Sequence, residues 1–159
     1  MIVHVPSIVD ATTEHLEYIQ QNMREADREE LWAAYHLDPA HSLQISMLCS
    51  TRCWTGLIDG VPICMFGVVP ASLVESVGRP WMIGTPAVEK FDRIFLKHCH
   101  EVVKNMASEY KTLYNFVDLR NKKAIRWLKW LGFTMEEPAP FGPFNLPFRR
   151  FTMEDKCTR

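Results

Sequence analysis

The side chains best suited to chemistry in this sequence are its thiols, its imidazoles and one run of cations. Cys49 and Cys53 stand four positions apart, and His98-Cys99-His100 forms a dense triplet. Tetrahedral metal sites pair their ligands at spacings such as Cys-x-x-Cys, and on a helix His98 and His100 point in nearly opposite directions, so no metal centre is expected. Nothing marks Cys99 as a thiol of depressed pKa, the form a nucleophile needs. The five cysteines, Cys49, Cys53, Cys64, Cys99 and Cys157, are odd in number and scattered among apolar neighbours. They read as reduced cytosolic thiols. The cation run is "RNKKAIRWLK", with five positive and no negative side chains between Arg120 and Lys129. It suits either an anionic partner or a solvated helix face.

The charge of the whole chain weighs on that choice. Eighteen Lys+Arg against 19 Asp+Glu leave a formal charge of -1, so no global field draws the protein to nucleic acid or anionic lipid. A nucleic-acid partner is therefore not expected. No apolar run reaches the roughly 20 residues of a membrane helix, and "MIVHVPSIVD" has neither a charged n-region nor a long h-region, so a cytoplasmic protein without membrane association is expected. At 159 residues, 47% hydrophobic and 23% charged, without repeat or linker, the chain reads as one domain over 1–159.

These residues need elements to position them. "IVHVPSIV" suits a first strand; Thr12/Thr13 and Glu14 open a helix with Leu16, Ile19 and Met23 on one face. "READREELWAAYHLDP" continues or restarts that helix through Leu31, Trp32 and Tyr35, and a short helix follows over "AHSLQISMLCS". Asp59-Gly60 predicts a hairpin between strands Cys53–Ile58 and Pro62–Val69, with "WMIG" as a third strand. Thr85-Pro86 starts a long helix with an apolar stripe through Val88, Phe91, Ile94, Phe95, Val102 and Met106, on which His98 is expected as a hydrogen-bonded core histidine. "TLYNFVDL" is a strand, and Asn121 caps a helix with Ala124, Ile125, Leu128 and Leu131 inward and its lysines outward, ended by Gly132. "FTMEEPAPF" and "LPFRRFTME" are two last strands, joined through a stiff segment holding four of the ten prolines.

This order, together with "NKKAIRWLKWLGF", resembles the GNAT superfamily of N-acetyltransferases. The segment is similar to that family's late N-x-x-A-(I/L)-x-x-Y-x-x-x-G-F signature, with Asn121, Ala124, Ile125, Gly132 and Phe133 in register. "EYKTLYNFVDLRNKKAIRWLKWLGF" with its aromatic FRRFTM finish also resembles the small GNAT-like proteins encoded beside virion genes of short-tailed phages, which serve as internal-virion or assembly proteins. The resemblance implies an α+β fold: a mixed, mostly antiparallel sheet with helices on both faces.

It also implies that Trp81–Gly84 and Leu113–Asp118 splay apart around acyl-CoA, acetyl-CoA above all. Cofactor contacts then fall on Ile83, Gly84, Thr85, Lys90, Asn115 and Asn121. Two positions depart from the family. The pyrophosphate loop is "GTPAVEKF", with one glycine and a proline that removes an amide, and Leu128 stands where a tyrosine acid is common. Tyr114 or Tyr110 could replace that acid, and Glu136, Glu137 or Asp118 could take a proton from an amine. One expected function is an N-acyltransferase moving acetyl from acetyl-CoA to an amine. The alternative is an inert GNAT-fold protein acting by contact, in virion assembly or on a host protein, in the host cytoplasm or in the virion. Phe141, Phe144, Phe148 and Phe151 form either its anchor patch or part of the core.

Overall fold

A computed structural model describes residues 1–154. Strand β1 (Pro6–Asp10) leads into helix α1 (Thr13–Gln21), where Thr12 and His15 cap each other: the threonine hydroxyl accepts the His15 amide and the imidazole accepts the Thr12 amide. Helices α2 (Glu25–Tyr35) and α3 (Pro39–Cys49) follow, the latter capped by Asp38 with Pro39 at its first position. Strands β2 (Arg52–Ile58) and β3 (Val61–Ser72) form the expected hairpin. Asp59 and Gly60 have φ of 52° and 80°, the pair of positive angles that lets a two-residue turn match the twist of its strands.

Strand β4 (Val77–Gly84) is longer than "WMIG" because it pairs with β3 back to Ser72. The next helix is interrupted: α4 (Ala87–Lys90) ends at Phe91, and α5 (Asp92–Glu109) restarts there. Its buried stripe runs Phe95, Cys99, Val102, Met106, so Cys99 faces inward and His98 is exposed, contrary to expectation. Residues 95, 99 and 102 follow the helical period, and position 98 lies about 100° off it.

Strand β5 (Thr112–Asp118), helix α6 (Lys122–Trp130), and strands β6 (Thr134–Met135), β7 (Ala139–Phe141) and β8 (Leu146–Glu154) complete the order. The expected strand over "FTMEEPAPF" is thus two short ones, broken at Pro138, and both pair with β8. Gly132 follows α6 at φ 102°, a conformation open to glycine, and Phe133 turns into the sheet.

The sheet order is β1-β2-β3-β4-β5-β8-β6, with β7 also on β8, and its only parallel pair among the described residues is β4 with β5. Helices cover both faces. β3 alternates between them: Cys64, Phe66 and Val68 join α5 and α6 in the larger core, while Met65 faces Leu16, Ile19, Leu31 and Leu43 of α1 to α3. Trp32 and Tyr35, read as apolar contacts of α2, are largely exposed. Phe148 and Phe151 are core, Phe141 stacks on Phe116, and Phe144 lies outside against Trp32 and His36. The four phenylalanines are therefore divided between core and surface. Lys122, Lys123, Arg126 and Lys129 form an exposed face. No helix of the described residues is long and apolar enough to cross a membrane.

Candidate functional site

The parallel contact between β4 and β5 is brief. Val77 pairs with Thr112 and Gly78 with Leu113; beyond them the strands part. At the apex of this wedge the Asn115 amide donates to the Pro80 carbonyl at 2.9 Å, and its oxygen accepts from Arg79 at 3.2 Å. Between the strands lies a cavity of about 360 Å³, lined by Arg79 to Ile83 of β4, by Asn115 to Val117 of β5, and by side chains from both layers of helices. Its size and mainly apolar walls are those of a small-molecule site.

Alternation fixes which backbone groups face the gap. The Thr85 amide bonds Ile63 of β3, so the amides of Gly84 and Met82 and the carbonyl of Pro80 turn the other way, as the Asn115 donation to that carbonyl also shows. Ile83, expected as a cofactor contact, lines the cavity while its backbone pairs with Met65; Met82 turns its backbone groups toward the gap.

The wide end of the wedge is bridged by α2 and the residue before it. The Gly84 amide donates to Asp27 at 2.8 Å, and the Gly84 carbonyl accepts from the Arg24 amide at 2.8 Å. The buried Arg24 guanidinium binds Asp27 (2.8 Å), Glu89 (3.0 Å) and the Asn121 oxygen (3.2 Å), and lies over the Trp127 ring. Glu30 accepts from the Asp118 amide at 2.7 Å and from the Asn121 side chain at 3.4 Å. One continuous polar chain thus runs from the end of β4 to the end of β5. Asn121, expected as a helix cap, makes no capping bond because its side chain belongs to this chain.

Charge is balanced unevenly along it. Burial pulls the Arg24 guanidinium down, but Asp27 and Glu89 outweigh this and hold it above its ordinary value. Burial, with the Asp27 charge behind it, pushes the Glu30 carboxyl up to about 8 despite its two donors. Glu30 lines the cavity, so a carboxyl titrating near neutrality faces that space. Glu89 is held below the usual carboxylate range, by Lys123 first and Arg24 next.

The other residues singled out in the sequence are dispersed. Asp118 is buried and locked to Arg120 by its carboxylate, contributing only its amide to Glu30. Tyr114 lies between the guanidinium groups of Arg79 and Arg150, outside the cavity lining. Glu136 is exposed and paired with Arg150, Glu137 is exposed, and the Tyr110 hydroxyl bonds Thr51. Lys90 is exposed over Phe91. Leu128 lines the cavity with no hydroxyl to offer. Sequence reasoning missed Arg24, Asp27 and Glu30, although positions 24, 27 and 31 share the face of α2 that buries Leu31. No group of three His, Cys, Asp or Glu in the described residues could hold a metal ion. Cys157 lies outside the described residues.

A pyrophosphate cradle is absent from the turn after β4. The Thr85 amide bonds Ile63, those of Ala87 and Val88 bond Thr85, and that of Glu89 bonds Pro86. Pro86 has none, and the Thr85 hydroxyl is itself used on Ile63. With the Gly84 amide held by Asp27, every N–H from Gly84 to Glu89 already has an acceptor within the protein. Of the cations near the turn, Arg24 and Lys123 are likewise matched by Glu89, and Lys90 lies outside over Phe91. The cavity suits an apolar arm, but these residues do not fit the phosphates of coenzyme A.

Comparison with known proteins agrees with the architecture. The model of a family described as "Bacteriophage T7, probable scaffold protein Gp13" matches residues 68–138. Among curated proteins none matches the sequence. AAC(6')-Ib in complex with ribostamycin and coenzyme A is similar in structure, with 15% identity, TM-score 0.70 and 97% of each chain covered. An acetyltransferase of the GNAT family from Streptococcus pneumoniae has 11% identity and TM-score 0.64, over 95% of this chain and 100% of that one. Spermidine N-acetyltransferase from Vibrio cholerae, in complex with CoA and spermine, has 13% identity and TM-score 0.66, over 94% and 95%. The fold is that of the GNAT acetyltransferases, a mostly antiparallel sheet between helices, as the resemblance implied.

Proposed function

We propose that this GNAT-fold protein works by contact in the assembly of a phage particle, on a viral structural protein, and does not transfer acetyl groups. The observation that carries the reading is the self-satisfied turn: the amides from Gly84 to Glu89 bond the protein itself, and Arg24 and Asp27 bridge the wide end of the wedge. A fold whose cofactor path is bridged by its own side chains keeps its shape and loses its chemistry. The match of residues 68–138 to a phage scaffold-protein family supports an assembly role. In this reading the protein acts in the host cytoplasm. Two measurements test it. Calorimetry with acetyl-CoA at millimolar concentration is expected to give no binding heat, and phage lacking the gene is expected to yield defective particles. Saturable binding with turnover, or normal particles from the deletion phage, would overturn the proposal.

A second reading, N-acetyl transfer from acetyl-CoA to an amine, draws on one specific observation. The wedge keeps a cavity, and Glu30, with its carboxyl near 8, faces it in the range where a base can exchange a proton with an ammonium. In that reading Glu30 takes the role expected of Glu136 or Asp118. Release of free thiol from acetyl-CoA in the presence of polyamines or aminoglycosides is its test.

A further inference from the structure

We propose that the cavity between β4 and β5 binds a small monocarboxylic acid with an apolar body, its carboxylate on Arg79. The inference stands apart from the assembly role and holds under either reading of activity.

Arg79 is a half-buried cation left unmatched. Its Nη2 donates to two neutral oxygens, Asn115 Oδ1 at 3.2 Å and the Tyr35 hydroxyl at 3.5 Å. Its Nε is buried and has no partner, and its planar face lies 5.6 Å from the Tyr114 ring centre. Among the described residues no carboxylate pairs with it. Arg24, at the other end of the same cavity, shows what the chain does with a cation whose role is structural: two carboxylates and an amide oxygen hold it. A buried guanidinium donor without an acceptor costs stability unless a ligand supplies one. Ser42 adds a second such group. It is 6% exposed, lines the cavity, and its hydroxyl also lacks a partner.

The rest of the lining decides the ligand's character. Leu31, Ala34, Ile45, Phe116, Phe141 and Phe148 give walls without hydrogen-bonding groups, so the body that fills them is hydrocarbon. A guanidinium fork meets a carboxylate in matching planar geometry. Multiply charged anions are disfavoured, because the other cation of the lining, Arg24, is already matched by Asp27 and Glu89, so Arg79 offers one positive charge for one negative. A single carboxylate at the apex, with an aliphatic or aromatic body running toward Glu30, satisfies all three conditions.

Octanoate is the probe, and tryptophan fluorescence is a direct readout because Trp81 and Trp127 line the cavity. Octanoate is expected to shift the emission saturably and raise the melting temperature of the full chain, while octan-1-ol and octyl phosphate bind about tenfold more weakly or not at all. Arg79→Met is expected to weaken octanoate binding by about tenfold or more. Arg79→Gln, which keeps a neutral donor, should do so too, with unchanged circular dichroism. If Arg79→Met fails to fold, Arg79→Gln and Ile45→Trp, which fills the cavity from its partly exposed wall, decide the matter. No octanoate binding at millimolar concentration overturns the proposal. So does equal binding of octan-1-ol, or affinity undiminished in Arg79→Gln and Ile45→Trp.

Discussion

The Asp27 carboxylate accepts the Gly84 amide at 2.8 Å through one oxygen and holds the Arg24 guanidinium at 2.8 Å through the other. An anion thus already sits on the backbone donor that ends β4. Breaking a buried ion pair from one side costs about 3–5 kcal/mol, because the remaining charge is stranded. Arg24 would still hold Glu89, so Asp27→Ala is expected at the lower end, about 3 kcal/mol. Urea unfolding measures it; a loss below about 1 kcal/mol would mean that the bridge does not tie α2 to the sheet.

Stability should fall as pH rises through neutrality. With its carboxyl near 8 in the fold and at the ordinary 4.5 in the unfolded chain, Glu30 keeps its proton longer when folded. The folded state therefore binds more protons between those values. This contribution is fully present below about pH 4.5 and is lost as pH climbs through about 8. Its size is on the order of 5 kcal/mol across the window. Glu30→Gln retains an acceptor for the Asp118 amide and should flatten the slope, read from melting temperatures between pH 5 and pH 9.

Acetyl transfer should not return with a hydroxyl alone. Leu128→Tyr places a phenol on the cavity wall but leaves the turn from Gly84 to Glu89 self-bonded. Thiol release from acetyl-CoA is expected to match that of the parent chain. Turnover gained by this one change would show that the missing acid, and not the missing cradle, had been limiting.

The loop between β7 and β8 presses on the backbone of α2. Gly142 has φ 77°, and a Cβ there would lie 2.4 Å from the Ala33 carbonyl oxygen. Gly142→Ala is expected to cost more than about 1 kcal/mol, because the strained angle and the collision add. Hydrogen exchange should show the loss of protection concentrated in the C-terminal half of α2.

Thiol reactivity should rank by burial. Cys49 is exposed, whereas burial pushes Cys53 up to about 11 and Cys99 up to about 12, and Cys64 well up. Iodoacetamide at pH 8, read by mass spectrometry, is expected to modify Cys49 first among these four. The others should react only on unfolding.

Local signals carried much of the fold. Asp59-Gly60 placed the hairpin, the spacing from Asn121 to Phe133 placed α6, and the family likeness placed the parting of β4 and β5. The site was harder to read because it is built by pairing across distance. Arg24 and Asp27 look like solvent-facing charges in "READREEL", and only their helical phase with Leu31 hints at burial. Asn121 stands where a cap belongs, but Arg24, 97 positions away, claims its side chain. Glu136 and Tyr114 carry suitable chemistry, yet both contact Arg150 away from the cavity lining. His98 differs from Cys99 by one step of the helix, enough to exchange core for solvent.

Among the described residues, two residue pairs are all the backbone pairing that joins the first four strands to the rest of the sheet. The sheet is therefore two blades sharing a short hinge, and α2 is the strut across their open ends. Torque applied to the C-terminal blade through β8 would meet little resistance from strand pairing; it would be carried by the core that α5 and α6 share with both blades and by Arg24, Asp27 and Glu30 at the open end. A push on one blade would reach the other as rotation about that hinge, with the strut and the shared core together setting the stiffness.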